Sequence, residues 1–186
     1  MKTRYLAITL GLILAGTILG TLGTFSTPIG SGVSQFWPGA MVQVAGSVWF
    51  GGWGVLAGTI FPVFTNLLTG GSTANVLGFI PANLAQSLIP FWAFRHFHMS
   101  PHIPGRRGLA FYVLWGGIVP NTVGAILGVT ALVLFGEADP GRDFPRLACT
   151  WALANTFSSL LLGIPTLRVL TPLWEEADLL IRDHGR

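Results

Sequence analysis

Gly78-Phe-Ile-Pro-Ala-Asn83-Leu-Ala-Gln86-Ser87-Leu-Ile-Pro90-Phe-Trp-Ala-Phe-Arg95 is the stretch whose reading decides the fold. It reads as the second half of a membrane-spanning helix that ends where Arg95 and His96 meet water. Asn83 and Gln86 stand three residues apart, with Ser87 beside them and Pro90 one turn on, so at helical spacing all four share a face. An unpaired amide in hydrocarbon costs several kcal/mol. That face is therefore expected to look inward, at protein, water or a ligand.

The rest of the chain supports a membrane reading. Of its 186 residues 51% are hydrophobic and only 9% charged, with a mean hydropathy of +0.65; a soluble domain carries about 25% charged residues. Between Tyr5 and Phe94 there is no Asp, Glu, Lys, Arg or His. Such a run cannot make a soluble surface, so the expected class is an all-α integral membrane protein. The formal charge of +3 then reports which loops face the cytoplasm and does not point to nucleic acid. The single Cys149 excludes a disulfide within the chain, and its apolar surroundings argue for an inert buried thiol.

Six helical segments are expected. The first, Tyr5–Phe25, is longer than a signal-peptide core and lacks an Ala-x-Ala site, so it reads as retained. It carries Gly11/Ala15 and Gly16/Gly20, small residues at the spacing that lets helices approach closely in lipid. They serve either packing within the bundle or docking of a separate subunit. After a Gly/Ser/Pro-rich break ending in Phe36-Trp37-Pro38-Gly39 come a short second segment (Ala40–Phe50), a tight Gly51-Gly52 turn and a third segment (Trp53–Leu68). The second, at about 11 residues, is too short to cross upright and is expected to be extended or partly re-entrant. The remaining segments are Ala74–Phe94, Gly108–Phe135 and Leu147–Leu170, which with the rest form a transmembrane domain over residues 1–172.

Charge gives the orientation. Lys2 and Arg4 place the N-terminus in the cytoplasm, and four crossings later the Arg95/Arg106/Arg107 connector falls on the same side. One crossing on, Glu137, Asp139 and Asp143 outweigh Arg142 and Arg146. The expected topology is six crossings with both termini cytoplasmic, in the cell membrane. Residues 173–186 are expected to form a cytoplasmic amphipathic tail after Pro172, with Leu173, Trp174, Ala177, Leu180 and Ile181 on one face.

The last three segments repeat one pattern: an asparagine near mid-membrane followed by small or hydroxyl residues, as in Pro81-Ala-Asn83, Pro120-Asn121-Thr and Ala154-Asn155-Thr. Each amide could simply tie helices together. As a set, Asn83, Gln86, Asn121 and Asn155, joined by Gln43 and Trp151, are expected to line a shared polar pocket. Acid, base or metal chemistry has little to work with, since the histidines lie in the connector and tail. No cofactor is expected. A neutral interior with amides and many tryptophans suits a small uncharged or zwitterionic organic ligand.

These residues resemble a known family. The small six-segment chain with a Gly-rich first helix is similar to the substrate-binding S component of energy-coupling factor vitamin transporters. Phe36-Trp37-Pro38-Gly39, Gly54…Gly58, Asn83-Leu-Ala-Gln86 and the closing Gly163-Ile-Pro-Thr-Leu-Arg-Val-Leu-Thr-Pro172 carry that likeness over most of the chain. The resemblance implies an outward-opening ligand pocket formed by the last three helices and the loop after the first. It also implies docking onto a coupling membrane subunit with two ATPases, through Gly11/Ala15 or Gly16/Gly20 in place of that family's Ala-x-x-x-Ala. A weaker similarity, to the MASE1-type membrane sensor domain, implies ligand sensing or an accessory role; that domain usually has more helices and a soluble output, and the whole function here is expected to fit in one membrane domain.

Overall fold

A computed structural model describes residues 2–26, 28–30 and 33–181. Its order is α1 (Lys2–Ser26), a short antiparallel ribbon of β1 (Pro28–Gly30) and β2 (Val33–Ser34), α2 (Gly39–Phe50) and α3 (Gly52–Leu68). A π-helical turn at Ala74–Gly78 leads into α4 (Ile80–His96). Next, α5 (Gly105–Tyr112) passes through a π-helical stretch, Val113–Ile118, into α6 (Val119–Leu134), and α7 (Asp143–Glu176) closes the chain. Four helical runs are long and apolar enough to cross a membrane: Thr3–Ser26, Ala74–His96, Gly105–Leu134 and Asp143–Glu176. The fold is that of an all-α membrane protein. Helices α2 and α3, with 12 and 17 residues, reach only about 18 and 26 Å at 1.5 Å per residue, short of the ~30 Å hydrocarbon core.

Local chemistry explains the breaks. Gly51 joins α2 to α3 at φ +56, ψ −133, a conformation that a side chain resists. Both π-helical stretches lie just before a proline: the residues four before Pro81 and Pro120 are Leu77 and Gly116. A proline ring clashes with that carbonyl and leaves it without an N–H donor, and widening the helix relieves both effects.

Apolar clusters occupy the two ends of the bundle. One gathers Phe79, Ala82, Val129, Leu132, Leu147 and Trp151. The other gathers Trp49, Phe50, Phe94, Ile103, Tyr112 and Leu167. On α4, α6 and α7 the buried amides and serines lie between these clusters in sequence, and Gln43 of α2 joins them through Asn83, which makes a polar layer inside the bundle.

At one end the termini meet. Arg4 Nη2 donates to the Ala177 carbonyl at 2.9 Å. Ile181 N–H donates to the Trp49 carbonyl at 3.0 Å, and Arg95 reaches the Ile181 carbonyl. The expected separate tail helix after Pro172 is replaced by unbroken α7 as far as Glu176. Thr171 Oγ1 accepts from Trp49 Nε1 at 2.8 Å, and the Trp174 ring packs on Trp49 and Phe50 at 6.0 and 5.7 Å, so the last turn is fastened to α2. Asp178, at φ +52, then turns the chain back. Trp174, Leu180 and Ile181 face inward, while Leu173 and Ala177 of the expected apolar face are exposed. The remainder of that tail, residues 182–186, lies outside the described residues.

Two further expectations change. Cys149 is exposed on α7, not buried, because its stretch of helix turns that side away from the bundle. Gly16 and Gly20 are consumed within the bundle. A Cβ on Gly16 would lie 2.6 Å from the Phe61 ring, and one on Gly20 would lie 2.8 Å from Thr65 Oγ1, so both glycines seat α1 on α3. Gly11 faces open space and Ala15 is exposed, on the same outer side as Leu10, Leu14 and Ile18. Gly16→Leu with Gly20→Leu should therefore cost several kcal/mol by overpacking, at about 1–3 kcal/mol per site. Gly11→Leu should cost almost nothing. Thermal unfolding in detergent, with recovery of monodisperse protein, measures the contrast.

Candidate ligand cavity in the amide layer

The polar layer divides into two groups. Gln86 Nε2 donates to Asn121 Oδ1 at 2.8 Å, and Asn121 Nδ2 donates to the Gly117 carbonyl at 2.8 Å and to Ser159 Oγ at 3.3 Å. Tyr112 OH donates to the Ser159 carbonyl at 3.0 Å, and Thr156 Oγ1 donates to the Gly117 carbonyl at 3.3 Å. Gly117 belongs to the π-helical stretch, and its carbonyl collects both side-chain donors. This group joins α4, α6 and α7, and neither Gln86 nor Asn121, both expected at a shared pocket, lines the amide-bordered cavity. A Cβ on Gly124 would meet the Gln86 side chain at 2.5 Å, which shows how closely α6 approaches it.

The second group borders open space. Gln43 Nε2 donates to the Gly58 carbonyl at 3.0 Å and to Asn83 Oδ1 at 3.1 Å, so Gln43 stands behind Asn83 and braces it. A cavity of about 30 Å³ is bounded by Asn66, Asn83, Asn155, Trp37, Phe79 and Trp151, with Thr24, Val33, Ser34 and Pro62 completing its wall. Each lining side chain has a cause. Trp37 stacks on Phe61 at 5.7 Å, and its N–H donates to Ser158 Oγ at 2.9 Å, which pins the loop over α7. Trp151 meets Phe79 edge to face at 4.7 Å, and Gly128 leaves room for its ring. Asn66 Nδ2 donates to the Asn75 carbonyl at 2.6 Å and ties α3 to the π-helical turn.

Of the six expected ligand residues the structure thus brings Asn83, Asn155 and Trp151 to the cavity, with Gln43 directly behind. Sequence reading missed Asn66, Phe79 and Ser34 as lining residues. The Trp37 ring, which also lines the cavity, lies against Phe61 inside the bundle. Asn66 carried a usable signal, being an amide in the same charge-free stretch as Asn83.

Asn155 completes the amide wall, and the Oε1 atoms of Gln43 and Gln86 stay buried without a partner among the described residues. Asn155 is only 4% exposed and lines the cavity, yet its amide has no hydrogen-bond partner among the described residues. Asn83 also lines the cavity, and its NH₂ has no protein acceptor among the described residues. Buried amides left unpaired cost about 1–3 kcal/mol each. A space of about 30 Å³ holds one or two water-sized guests, since one water needs roughly 10–15 Å³. Among the described residues no three His, Cys, Asp or Glu side chains gather to hold a metal ion.

Compared with family models, curated proteins and solved structures, the chain matches none. Fold and site therefore define the class: an all-α membrane protein with a neutral, amide-lined internal cavity.

Asn121→Leu should destabilise the protein by about 1–3 kcal/mol, because the Gln86 amide loses its acceptor in a closed interior. Adding Gln86→Leu should recover part of that loss. A double-mutant cycle by thermal unfolding reads the coupling, and additive losses would show the pair to be independent.

Proposed function

We propose that this chain is the ligand-capturing membrane subunit of an uptake transporter, energised by a separate coupling subunit and ATPases, with no chemistry of its own. The ligand is a small uncharged or zwitterionic organic molecule held by Asn83, Asn155 and Asn66 between the Trp37 and Trp151 rings. The observation that carries the reading is Asn155, a residue only 4% exposed that lines the cavity and makes no hydrogen bond with the other described residues. Evolution toward packing alone would favour a leucine there.

The cavity is far smaller than the roughly 300–1,000 Å³ of small-molecule sites, so capture requires its walls to part. The Val33–Trp37 segment is the wall assigned to that movement, since it is the lining part that is not helical, held by the Trp37 N–H bond to Ser158, the Trp37–Phe61 and Phe36–Phe157 ring contacts and the pairing of β2 with β1. Docking to the coupling subunit then falls to the exposed Gly11/Ala15 side of α1, because Gly16 and Gly20 are occupied by α3. A six-crossing topology with both termini cytoplasmic fits this role. It is supported by the meeting of Arg4, Ala177, Arg95 and Ile181 at one end of the bundle.

The first test is purification in mild detergent with mass spectrometry of bound small molecules and co-purifying ATPases. With the ligand in hand, Asn155→Leu should abolish binding while leaving the empty protein as stable as before or slightly more so. Asn83→Leu should weaken binding and lower stability, because Gln43 loses a partner. Full binding in both variants would end the proposal. For the topology, cysteines at Thr73, Arg106 and Gly141, introduced after Cys149→Ala, should divide by side. Arg106→Cys should react with a membrane-impermeant thiol reagent only from the cytoplasm, and the other two only from outside.

A further inference from the structure

Pro62 stands inside α3 and has no N–H to give the carbonyl four residues back, that of Gly58. A buried carbonyl without its helical donor must find one elsewhere. Gln43 Nε2 supplies it at 3.0 Å and also donates to Asn83 Oδ1 at 3.1 Å. The Gln43 Oε1 stays buried without a partner among the described residues. Turning that amide over would set its oxygen against the Gly58 carbonyl, so the backbone of α3 fixes its orientation.

The orientation passes to Asn83. Because Gln43 offers it N–H, Asn83 answers with its oxygen, and the NH₂ is left as the free end of a residue that lines the small cavity. Asn66, in the same lining, is set the other way. Its Nδ2 donates to the Asn75 carbonyl at 2.6 Å, again an oxygen that can only accept, and its Oδ1 is left free of hydrogen bonds with the described residues.

Taking the cavity as the place of capture, as the uptake reading does, we propose that it selects a neutral group with both a carbonyl and an N–H, as in a carboxamide, lactam or ureide, and that Gln43 is the residue that sets this polarity. The guest's carbonyl oxygen accepts from the Asn83 NH₂, and its N–H donates to Asn66 Oδ1. Asn155, bonded to none of the described residues, can serve either end.

Two observations narrow the class. Among the described residues none of the lining side chains is an Asp, Glu, Lys, Arg or His, so a charged group would find no counter-charge. A larger cavity, about 400 Å³, lies where the termini meet and differs in kind, with Arg95, His98, His102 and Glu175 on its wall. Within the neutral cavity an acceptor-only guest leaves Asn66 unpaired, and a donor-only guest leaves Asn83 unpaired. Each buried polar group left so costs more than a net hydrogen bond contributes.

The full chain in detergent, with isotope-labelled asparagine, is titrated with three planar probes of one shape. Acetamide has both functions, acetone only the acceptor, and acetamidinium only donors, together with a charge. NMR of the Asn83 and Asn155 NH₂ groups, assigned by their loss in Asn83→Leu and Asn155→Leu, reads binding at the cavity. Acetamide should shift the Asn83 signals and bind about fivefold more tightly than acetone, the worth of one net hydrogen bond. Acetamidinium should not bind.

Gln43→Glu should invert the polarity. Burial keeps the new carboxyl neutral; its O–H must serve the Gly58 carbonyl, and its other oxygen draws the Asn83 NH₂ away from the cavity. Acetone should then weaken about fivefold more than acetamide, which has N–H groups for the oxygen now presented. A merely structural role of Gln43 would weaken both alike. Where that variant does not fold, the three-probe comparison on the unaltered chain decides. Acetone or acetamidinium binding as tightly as acetamide overturns the proposal, as does a silent Asn83 beside a responding Asn155. An unchanged acetone-to-acetamide ratio in folded Gln43→Glu protein does the same. Each of these leaves the cavity a ligand site, whereas silence of both amides toward every probe overturns the cavity as the place of capture as well.

Discussion

Amide groups inside a bundle surrounded by hydrocarbon must find partners within the protein, and the rest of the structure depends on how this chain meets that demand. Along α4 the demand recurs at Asn83, Gln86 and Ser87. Gln86 is answered by Asn121, and Ser87 Oγ by the carbonyl of Asn83. Gln43 answers Asn83 from α2 and also donates to the Gly58 carbonyl, so one amide ties α2 to both α4 and α3. Glycine at 58 is what permits the approach, since a Cβ there would collide with Ser87 Oγ. Hydrogen bonding and close backbone approach are thus one requirement met twice, by an amide and by the glycine opposite it.

The same pairing of amide or aromatic with glycine recurs through the bundle. Gly124 makes room for Gln86, Gly128 for Trp151, and Gly163 for the Tyr112 hydroxyl. Between helices in lipid there is little hydrophobic driving force, so stability comes from close packing and from internal hydrogen bonds. These glycines serve both needs, and at Gly46 and Gly54 the two backbones themselves touch. The proline-widened turns contribute in another way. Within the widened stretch the Gly117 carbonyl accepts from both Asn121 and Thr156, which anchors α6 and α7 at one point.

Much of this was legible in the sequence. Absence of charge from Tyr5 to Phe94 sufficed for the class, and the segment boundaries at Gly39, Phe50 and Leu68 follow from Pro38 and the Gly51-Gly52 pair. That the amides face inward was legible too, because periodicity and the cost of exposure leave no other side. Their division into two groups was not. Asn83 and Gln86 are less than one turn apart, and only the tertiary positions of Gln43 and Asn121 decide that the first borders a cavity and the second a closed clamp. Small-residue spacing on α1 likewise cannot tell whose backbone approaches. Phe61 and Thr65 settle that for Gly16 and Gly20 through contacts distant in sequence. The tail misled because Pro172 normally ends a helix, whereas the Thr171 hydrogen bond to Trp49 and the Trp174 ring contacts outweigh the missing N–H.

Neutral amides also explain how a membrane interior can hold polar groups in readiness. A charge placed at the level of Asn155 would cost about 2.5–3.5 kcal/mol or more and would demand a fixed counter-charge. An unpaired amide costs less, and it can exchange a protein partner for a guest without moving net charge through hydrocarbon. The chain follows this rule by position. Between the apolar clusters its buried polar groups are amides and hydroxyls, while Arg4, Arg95, Arg106 and Arg107 gather toward the end where the termini meet. Helix α4 joins the two regimes: Asn83 borders the small neutral cavity, and Arg95, twelve residues on or about 18 Å along the axis, borders the large charged one. Between them Gln86 Nε2 and Ser87 Oγ are bonded within the protein while Gln86 Oε1 is buried without a partner among the described residues, and the helix joins the two cavities mechanically.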